Sequence, residues 1–339
     1  MKAHHAILCV LAAMLMAVPV MSAAQTQRAP TKPPAKPAAK SSSQTSTPAP
    51  ERSPSEGELD LAYAAYQRGH YLSAFKEATR RVETKSDPKA MTLLGELYAN
   101  GYGVPLNDQK AVEWYKLAAD RGDREAMFAL AIFRLLGRGG PRDRDEATKL
   151  LASAAKLGHS GAAYDLGLLY LEGQQFPQDY SRAADIFRAA ARAGNSDAQY
   201  ALATLYKEGR GVAKDPTEAA RLLGAAALAG NSDAEVEYAI ALFNGIGVAK
   251  DEAAAAALFL KAARKGSPIA QNRLANILAR GRGLPANAVE AAKWHLIAKA
   301  GGDGDMGMDD FVAKLTPEDR AAAEKAARPW LEVVAASRP

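Results

Sequence analysis

The fold of this chain is decided by a 36-residue stretch that recurs six times. Residues 87–122 have the sequence DPKAMTLLGELYANGYGVPLNDQKAVEWYKLAADRG. Glycine returns at the same place in every window, at Gly101, Gly137, Gly173, Gly209, Gly245 and Gly281. Three other columns keep the same spacing without an insertion: two of alanine that start at Ala90 and Ala111, and one of glycine that starts at Gly122. Self-similarity at a fixed period of this length is typical of a repeat array.

Each window predicts two helices, which we call helix A and helix B. Helix A of the first window has Asp87 as N-cap and Pro88 at its first position, and it ends at a left-handed glycine, Gly101. Helix B ends at a second glycine, Gly122. The predicted N-caps of helix B are Asn107, Asp143, Asp179, Asp215, Asp251 and Asn287. Three of them are followed three residues later by Glu146, Glu218 or Glu290, a spacing that imitates a capping box.

The repeat resembles a known family. Residues 94–98, Leu-Gly-Glu-Leu-Tyr, and the stretch that continues to Gly122 resemble the Sel-one-like repeat (SLR), a relative of the tetratricopeptide repeat (TPR) with a period of 36 residues. The resemblance covers about residues 58–305. It implies an all-α fold, a right-handed α-solenoid of antiparallel helix pairs, in which each repeat packs on its neighbours.

The resemblance is far more specific for fold than for function. SLR proteins are mostly adaptors that hold other proteins, and exported bacterial members are implicated in envelope assembly, exopolysaccharide control and signalling to membrane sensor kinases. Some cysteine-rich members, with a disulfide in each repeat, were described as penicillin-binding. This chain has one cysteine, so the resemblance does not carry that activity over.

We divide the chain into five parts. Residues 1–24 are a predicted signal peptide, and residues 25–55 are a linker rich in Pro, Ala, Ser and Lys that is predicted to be disordered. Residues 56–86 are a shorter helix pair that caps the array, and residues 87–305 are the six SLR repeats. Residues 306–339 are closing helices, because a repeat array needs a cap at each end.

The first part of the chain predicts export. Lys2 precedes an apolar run over residues 6–21, and small residues follow at 22–24, which is the pattern of a cleavable signal. The single cysteine, Cys9, lies inside this run, so the mature chain has no thiol, as suits the bacterial periplasm. We therefore predict a periplasmic protein. The alternatives are a membrane anchor formed by an uncleaved signal, and a cytosolic scaffold with an inert N-terminal stretch.

Charge is concentrated in the N-terminal tail. The chain has a net charge of +5, and residues 1–55 account for all of it, so residues 56–339 are neutral overall. A neutral array argues against nucleic acid as a partner. The linker is interpreted either as a solvated tether or as a segment whose Lys32, Lys36 and Lys40 make weak contact with anionic envelope polymers.

Signals for catalysis or cofactor binding are sparse. Beyond the predicted signal peptide the histidines are His70, His159 and His295, and no zinc-protease, nucleophile-elbow or phosphate-loop motif occurs. Residues 303–310 resemble the opening of a calcium loop, but the glycine is misplaced and Lys314 stands where the bidentate glutamate belongs. We interpret them as a polar loop and helix start. The chain is predicted to be no enzyme, with no metal and no cofactor.

A candidate partner site lies on helix A, opposite its core columns. Helical geometry of about 100° per residue places nine apolar side chains there. They are Phe128, Ile132, Leu135, Tyr164, Leu168, Leu171, Tyr200, Ile240 and Phe243. One interpretation is that they pack against neighbouring repeats; the other is that they form an apolar groove on the concave surface that binds a segment of a partner.

Two functions follow from these observations. The first is a non-catalytic periplasmic scaffold, adaptor or regulator of an envelope process, which binds another envelope protein or the periplasmic domain of a membrane protein. The second is a protein that associates with the cell wall or with polysaccharide, including as a hydrolase. The lack of a catalytic constellation favours the first.

Overall fold

The computed structural model describes residues 55–173 and 177–336. The predicted signal peptide, residues 25–54 of the predicted linker, and the third A–B turn at 174–176 lie outside the described residues. Ser55, the last residue of the predicted linker, begins the first described helix. No described helix is long and apolar enough to cross a membrane.

Every regular element among the described residues is an α-helix, and consecutive helices pack in pairs. The predicted all-α solenoid is therefore confirmed. In chain order the helices are α1 (Ser55–Gln67), α2 (Tyr71–Lys85), α3 (Pro88–Asn100), α4 (Asp108–Ala119), α5 (Arg124–Leu136), α6 (Arg144–Lys156), α7 (Ser160–Glu172), α8 (Tyr180–Arg192), α9 (Ser196–Glu208), α10 (Pro216–Leu228), α11 (Ser232–Asn244), α12 (Glu252–Arg264), α13 (Pro268–Arg280), α14 (Ala288–Ala300), α15 (Met306–Ala313) and α16 (Pro317–Ala336). From α3 to α14 the odd-numbered helices are helices A and the even-numbered ones are helices B.

The glycine columns end the helices as predicted. Gly101 adopts a φ of 68° at the end of α3, and its counterparts in the other five repeats have φ between 68° and 74°. Gly122 and its counterparts are also left-handed, with φ between 85° and 94°. Side chains with a Cβ rarely adopt this conformation. The predicted N-caps of helix B are confirmed as well, since each accepts a backbone N–H from the first turn.

The capping-box interpretation is wrong. The backbone N–H of each helix-B N-cap residue donates to a carbonyl of the preceding helix A, as Asp143 N does to Arg134 O at 3.0 Å, so it is not free for a glutamate. The same bond recurs in all six repeats. Glu146 accepts instead from Arg134 Nε at 2.5 Å, Glu218 from Arg221, and Glu290 from Lys293. The backbone hydrogen bond to helix A has thus displaced the capping-box bond, and only Glu146 among the three glutamates pairs with another helix.

The core forms where small residues on helix A meet larger ones on helix B. Both alanine columns are buried, with at most 3% exposure. A Cβ at Gly167 would overlap the ring of Phe187 on the paired helix B. The equivalent positions in the second repeat are occupied by Ala131 and Leu151, both fully buried. Helix A therefore carries the smaller residue where helix B carries the larger one, which keeps the pair closely packed.

The second glycine of the A–B turn joins one repeat to the previous one. Gly247 has a φ of 69°, and a Cβ there would overlap the carbonyl of Pro216 at the start of the preceding helix B. Gly139 makes the same approach, with an added Cβ 2.5 Å from Asp108 O. These glycines therefore allow two backbones to come into contact, in addition to adopting positive φ.

The C-terminal loop starts a helix, as predicted. Asp305 caps α15 by accepting the N–H groups of Gly307 and Met308 at 2.8 and 3.2 Å. Thr316 in turn caps α16 by accepting from Asp319 N at 3.1 Å. Three acidic residues of the segment that resembles a calcium loop, Asp303, Asp305 and Asp309, are thus engaged in a helix cap or in side-chain contacts within the protein.

Candidate functional site

The nine predicted partner-binding residues lie on four consecutive helices A, and we call them the helix-A strip. The helices concerned are α5, α7, α9 and α11. Every one of the nine side chains is partly buried, and none is fully buried or fully exposed. The strip consists of Phe128, Ile132, Leu135, Tyr164, Leu168, Leu171, Tyr200, Ile240 and Phe243.

The inner edge of the strip packs on neighbouring elements. Phe128 stacks on His159 of the next repeat with ring centroids 4.3 Å apart. The Tyr164 ring lies 5.8 Å from that of Phe187, and eight of the nine residues pack against buried core clusters. The interpretation that these residues pack against the repeats is therefore confirmed for part of these eight side chains, and all nine keep an exposed part. The binding of a partner stays a prediction.

The line of helix-A positions that forms the strip is not apolar in every repeat. In the fourth repeat its later positions are polar, Thr204 and Lys207, and Lys207 forms an ion pair with Glu237 at 3.0 Å. In the sixth repeat the first two positions are Asn272 and Asn276. The apolar surface is thus divided between the second to fourth repeats and the fifth repeat.

A partly buried carboxylate, Asp165, lies beside Tyr164 on α7. Burial, and to a lesser extent the charge of Asp197, raises the pKa of Asp165 to about 7. The equivalent position is apolar in the first, second and fourth repeats (Leu93, Ala129 and Ala201) and charged in the fifth and sixth (Glu237 and Arg273). The sequence analysis missed Asp165, and its column gives no clear signal, because half of the positions are charged.

The strip tyrosines are neutral hydrogen-bonding groups near neutral pH. Burial, followed by the charge of Asp197, raises the pKa of Tyr164 to about 12. Burial, followed by the charges of Glu237 and Asp233, also raises the pKa of Tyr200. Phenols with raised pKa donate hydrogen bonds, and they are poor proton acceptors or nucleophiles.

Two histidines have structural roles that fit their surroundings. His159 caps α7, with Nδ1 accepting the N–H of Ala162 at 2.9 Å, so its proton lies on Nε2, 3.0 Å from Glu125. His295 replaces an aromatic residue of the helix-B core, as the sequence indicated, and is 1% exposed. Its Nε2 lies 2.8 Å from Asp309 Oδ1. Neither histidine is placed as a catalytic base beside a nucleophile.

A cavity of about 300 Å³ adjoins the end of the strip, between the fifth and sixth repeats. Sequence reasoning did not find it, because its walls come from three helices and two connecting segments. The residues that line it are Ile240, Phe243, Asn244, Phe259, Arg273, Asn276, Ile277, Arg280, Arg282 and Asp305. A second cavity, of about 620 Å³, lies among the first helices and is lined by side chains of both charges. Among the described residues there is no group of three or more His, Cys, Asp or Glu side chains suited to a metal ion.

The geometry defines a class of protein: an α-solenoid of stacked helix pairs. A comparison with protein families then assigns the repeats. The Sel1 repeat family matches residues 88–123, 124–159, 160–195, 196–231, 232–267 and 268–303. These six matches span more than half of the chain, so the protein belongs to the Sel1 repeat family, as the sequence resemblance predicted.

Solved structures support the same assignment. A Sel1 repeat protein from Oxalobacter formigenes is 28% identical, covers 71% of this chain and 96% of its own, and gives a TM-score of 0.60. A protective antigen of uropathogenic Escherichia coli that displays an SLR fold is 27% identical, covers 81% of this chain and 68% of its own, and gives a TM-score of 0.55. A comparison with curated proteins finds no match. Sel1 repeats generally mediate protein–protein interaction and generally act as non-catalytic scaffolds.

Proposed function

We propose that this protein is a periplasmic, non-catalytic adaptor that holds a segment of another envelope protein against the helix-A strip. The observation that carries the proposal is the exposure of the nine strip residues: all nine are partly exposed, although eight of them also pack against the core. Apolar side chains that recur along one face, rimmed by polar groups, are typical of a surface that binds protein. The general role of Sel1 repeats in protein interaction supports it.

The proposed partner is an envelope protein or the periplasmic domain of a membrane protein, and the process is envelope assembly, exopolysaccharide control or sensor-kinase signalling. The support is the signal-like sequence of residues 1–24 and the absence of cysteine after Cys9. The weak contact of the basic linker with anionic envelope polymers stays a proposal too. Cell fractionation followed by N-terminal sequencing tests the location. We expect a periplasmic chain that begins at Gln25, and a cytosolic chain that retains Met1 would overturn it.

Photo-crosslinking in living cells tests the interaction itself. A photoreactive amino acid replaces Leu168 in the strip, or Leu228 as the matched control. Leu228 is an equally apolar residue on helix B that is 93% exposed. We expect one discrete envelope protein to be captured from position 168 and not from position 228. Equal capture at the two positions, or none from the strip, would contradict the proposal.

The double substitution Tyr164→Ser with Tyr200→Ser separates binding from folding. Both rings contribute to the exposed edge of the strip and partly to the core. We expect loss of the crosslinked partner at a temperature well below the melting transition of the variant. If binding disappears only in step with unfolding, the strip serves the repeat stack alone.

A further inference from the structure

The cavity at the end of the strip combines an apolar floor with a cationic rim. Ile240 and Phe243 of the strip and the fully buried Phe259 contribute the floor on the side of the fifth repeat. Ile277 of α13 closes it from the sixth repeat. At about 300 Å³ the space is at the lower end of ligand pockets, of a size for one or two apolar side chains.

Two arginines of the rim have no carboxylate partner among the described residues. Arg273 and Arg280 lie seven residues apart on α13, which places them on one face of that helix, and both are exposed. Asn276 lies between them on the cavity wall. Arg280 is also in the last turn of α13, near the negative end of the helix dipole. The rim therefore presents two cationic forks available to an incoming carboxylate.

The other charges of the cavity are already satisfied. Arg282 stacks on Phe243 at 4.3 Å and donates to Glu252 at 2.5 Å. Asp305 accepts from Asn276 at 3.1 Å in addition to capping α15, and hydrogen bonds, the largest from Asn276, hold its pKa below the usual range. Neither group needs a ligand. What remains unmatched is the charge of Arg273 and Arg280 above an apolar floor.

We infer that this cavity binds an acidic, apolar peptide segment of the partner, in which an apolar side chain fills the floor and neighbouring carboxylates pair with Arg273 and Arg280. This inference rests on the proposed function and names the chemistry of the partner at one end of the strip. Charge complementarity selects an anion, since arginine pairs with carboxylates in a bidentate manner. The apolar floor and the nearby carboxylates of Glu252 and Asp305 select against a polyanion such as nucleic acid.

Labelled octapeptides test the inference on the full mature chain. Three sets share the same leucine and phenylalanine positions and differ only in the remaining residues, which are glutamate, lysine or serine. Binding is followed by fluorescence anisotropy at low and at physiological salt. We expect the glutamate set to bind at least tenfold more tightly than the other two, and the preference to shrink as salt screens the exposed charges.

The variant Arg273→Glu/Arg280→Glu is the decisive comparison. Its matched control is Arg192→Glu/Arg264→Glu, which reverses two exposed arginines on helices B. We expect the first variant to weaken binding of the glutamate set at least tenfold and the control to leave it within twofold, with both variants folded by circular dichroism. No binding by any set, equal binding by all three sets, or equal effects of the two variants would overturn the inference.

The inference about the cavity and the proposed function of the helix-A strip can fail independently of each other. If crosslinking from position 168 persists in Arg273→Glu/Arg280→Glu and the peptide sets bind alike, the cavity is not a carboxylate site and the strip still binds a partner. If crosslinking from position 168 fails while the glutamate set binds selectively, the inference about the cavity is supported and the proposed binding of a partner to the helix-A strip is refuted.

Discussion

Replacing Asp165 by asparagine should stabilise the protein, and more so at high pH than at low pH. Burial, followed by the charge of Asp197, raises the pKa of Asp165 from 3.8 to about 7. The folded protein therefore holds this proton more tightly than the unfolded chain does. Between pH 4 and 7 the unfolded chain loses the proton first, so the contribution of Asp165 to stability falls as pH rises through that window.

The size of the effect follows from the displacement of the pKa. One pH unit corresponds to 1.36 kcal/mol, so the shift sets an upper limit of about 4 kcal/mol above pH 7. Asp165 keeps a partly exposed edge, and water that reaches it screens the charge. We therefore expect roughly half of the limit, about 2 kcal/mol, at pH 8. pH 5 lies about a third of the way from the ordinary pKa of Asp165 to its raised pKa. Asp165→Asn should therefore stabilise the folded protein by less than about 1 kcal/mol at pH 5.

Urea denaturation at pH 5 and pH 8, followed by far-ultraviolet circular dichroism, measures the difference. Asp165→Asn should raise the free energy of unfolding by about 1 kcal/mol more at pH 8 than at pH 5. Asp197→Asn should give part of this gain, because it removes the smaller of the two causes. The control is Asp233→Asn, which removes an exposed charge from α11, and its effect at the two pH values is the baseline for the other two variants.

Two results would refute this reasoning. One is a stabilisation by Asp165→Asn that is the same at pH 5 and pH 8, which would mean that the carboxylate titrates alike in the folded and unfolded chains. The other is a destabilisation that grows with pH, which would mean that the folded protein favours the charged form. A carbon-13 NMR titration of the Asp165 carboxyl carbon reports the pKa directly and should place it near 7.

Three further predictions concern stability. Gly247→Ala should lower the free energy of unfolding by several kcal/mol, and Gly230→Ala by about 1–2 kcal/mol, as measured by thermal denaturation. Both glycines have positive φ, but only at Gly247 would an added Cβ overlap a neighbouring carbonyl. Equal losses would contradict the close approach at Gly247. Gly167→Ala should lower the free energy of unfolding by about 1–3 kcal/mol, and adding Phe187→Leu should recover much of this loss. Additive losses in the double-mutant cycle would show that the two positions are not coupled. His159→Ala should lower the free energy of unfolding, as measured by urea denaturation, by about 1 kcal/mol. His159→Asn should lower it less, because asparagine restores the N-cap of α7. The reverse order would exclude the capping role.

The candidate site was only partly accessible from the sequence. Helical periodicity placed the nine strip residues on one side of helix A, and the structure finds all nine partly buried. How much of each side chain is covered depends on the next repeat: Phe128 is covered by His159, and Phe243 by Arg282. Asp165 and the cavity rimmed by Arg273 were missed, because burial and charge pairing arise from groups more than thirty residues apart or on different helices.

The sequence by itself determined the repeat, its register and its family. N-caps such as Asn107, left-handed glycines such as Gly101 and the alanine columns act within one helix or one turn, so their signals are local and recur every 36 residues. Only the tertiary structure decided which backbone groups meet. The N-cap N–H of helix B bonds to helix A instead of to a glutamate such as Glu146, and Gly247 admits the backbone of the preceding repeat. The physical reason is that a local pattern fixes where a helix begins and ends, whereas contact, burial and electrostatic potential depend on what the neighbouring repeats bring against it.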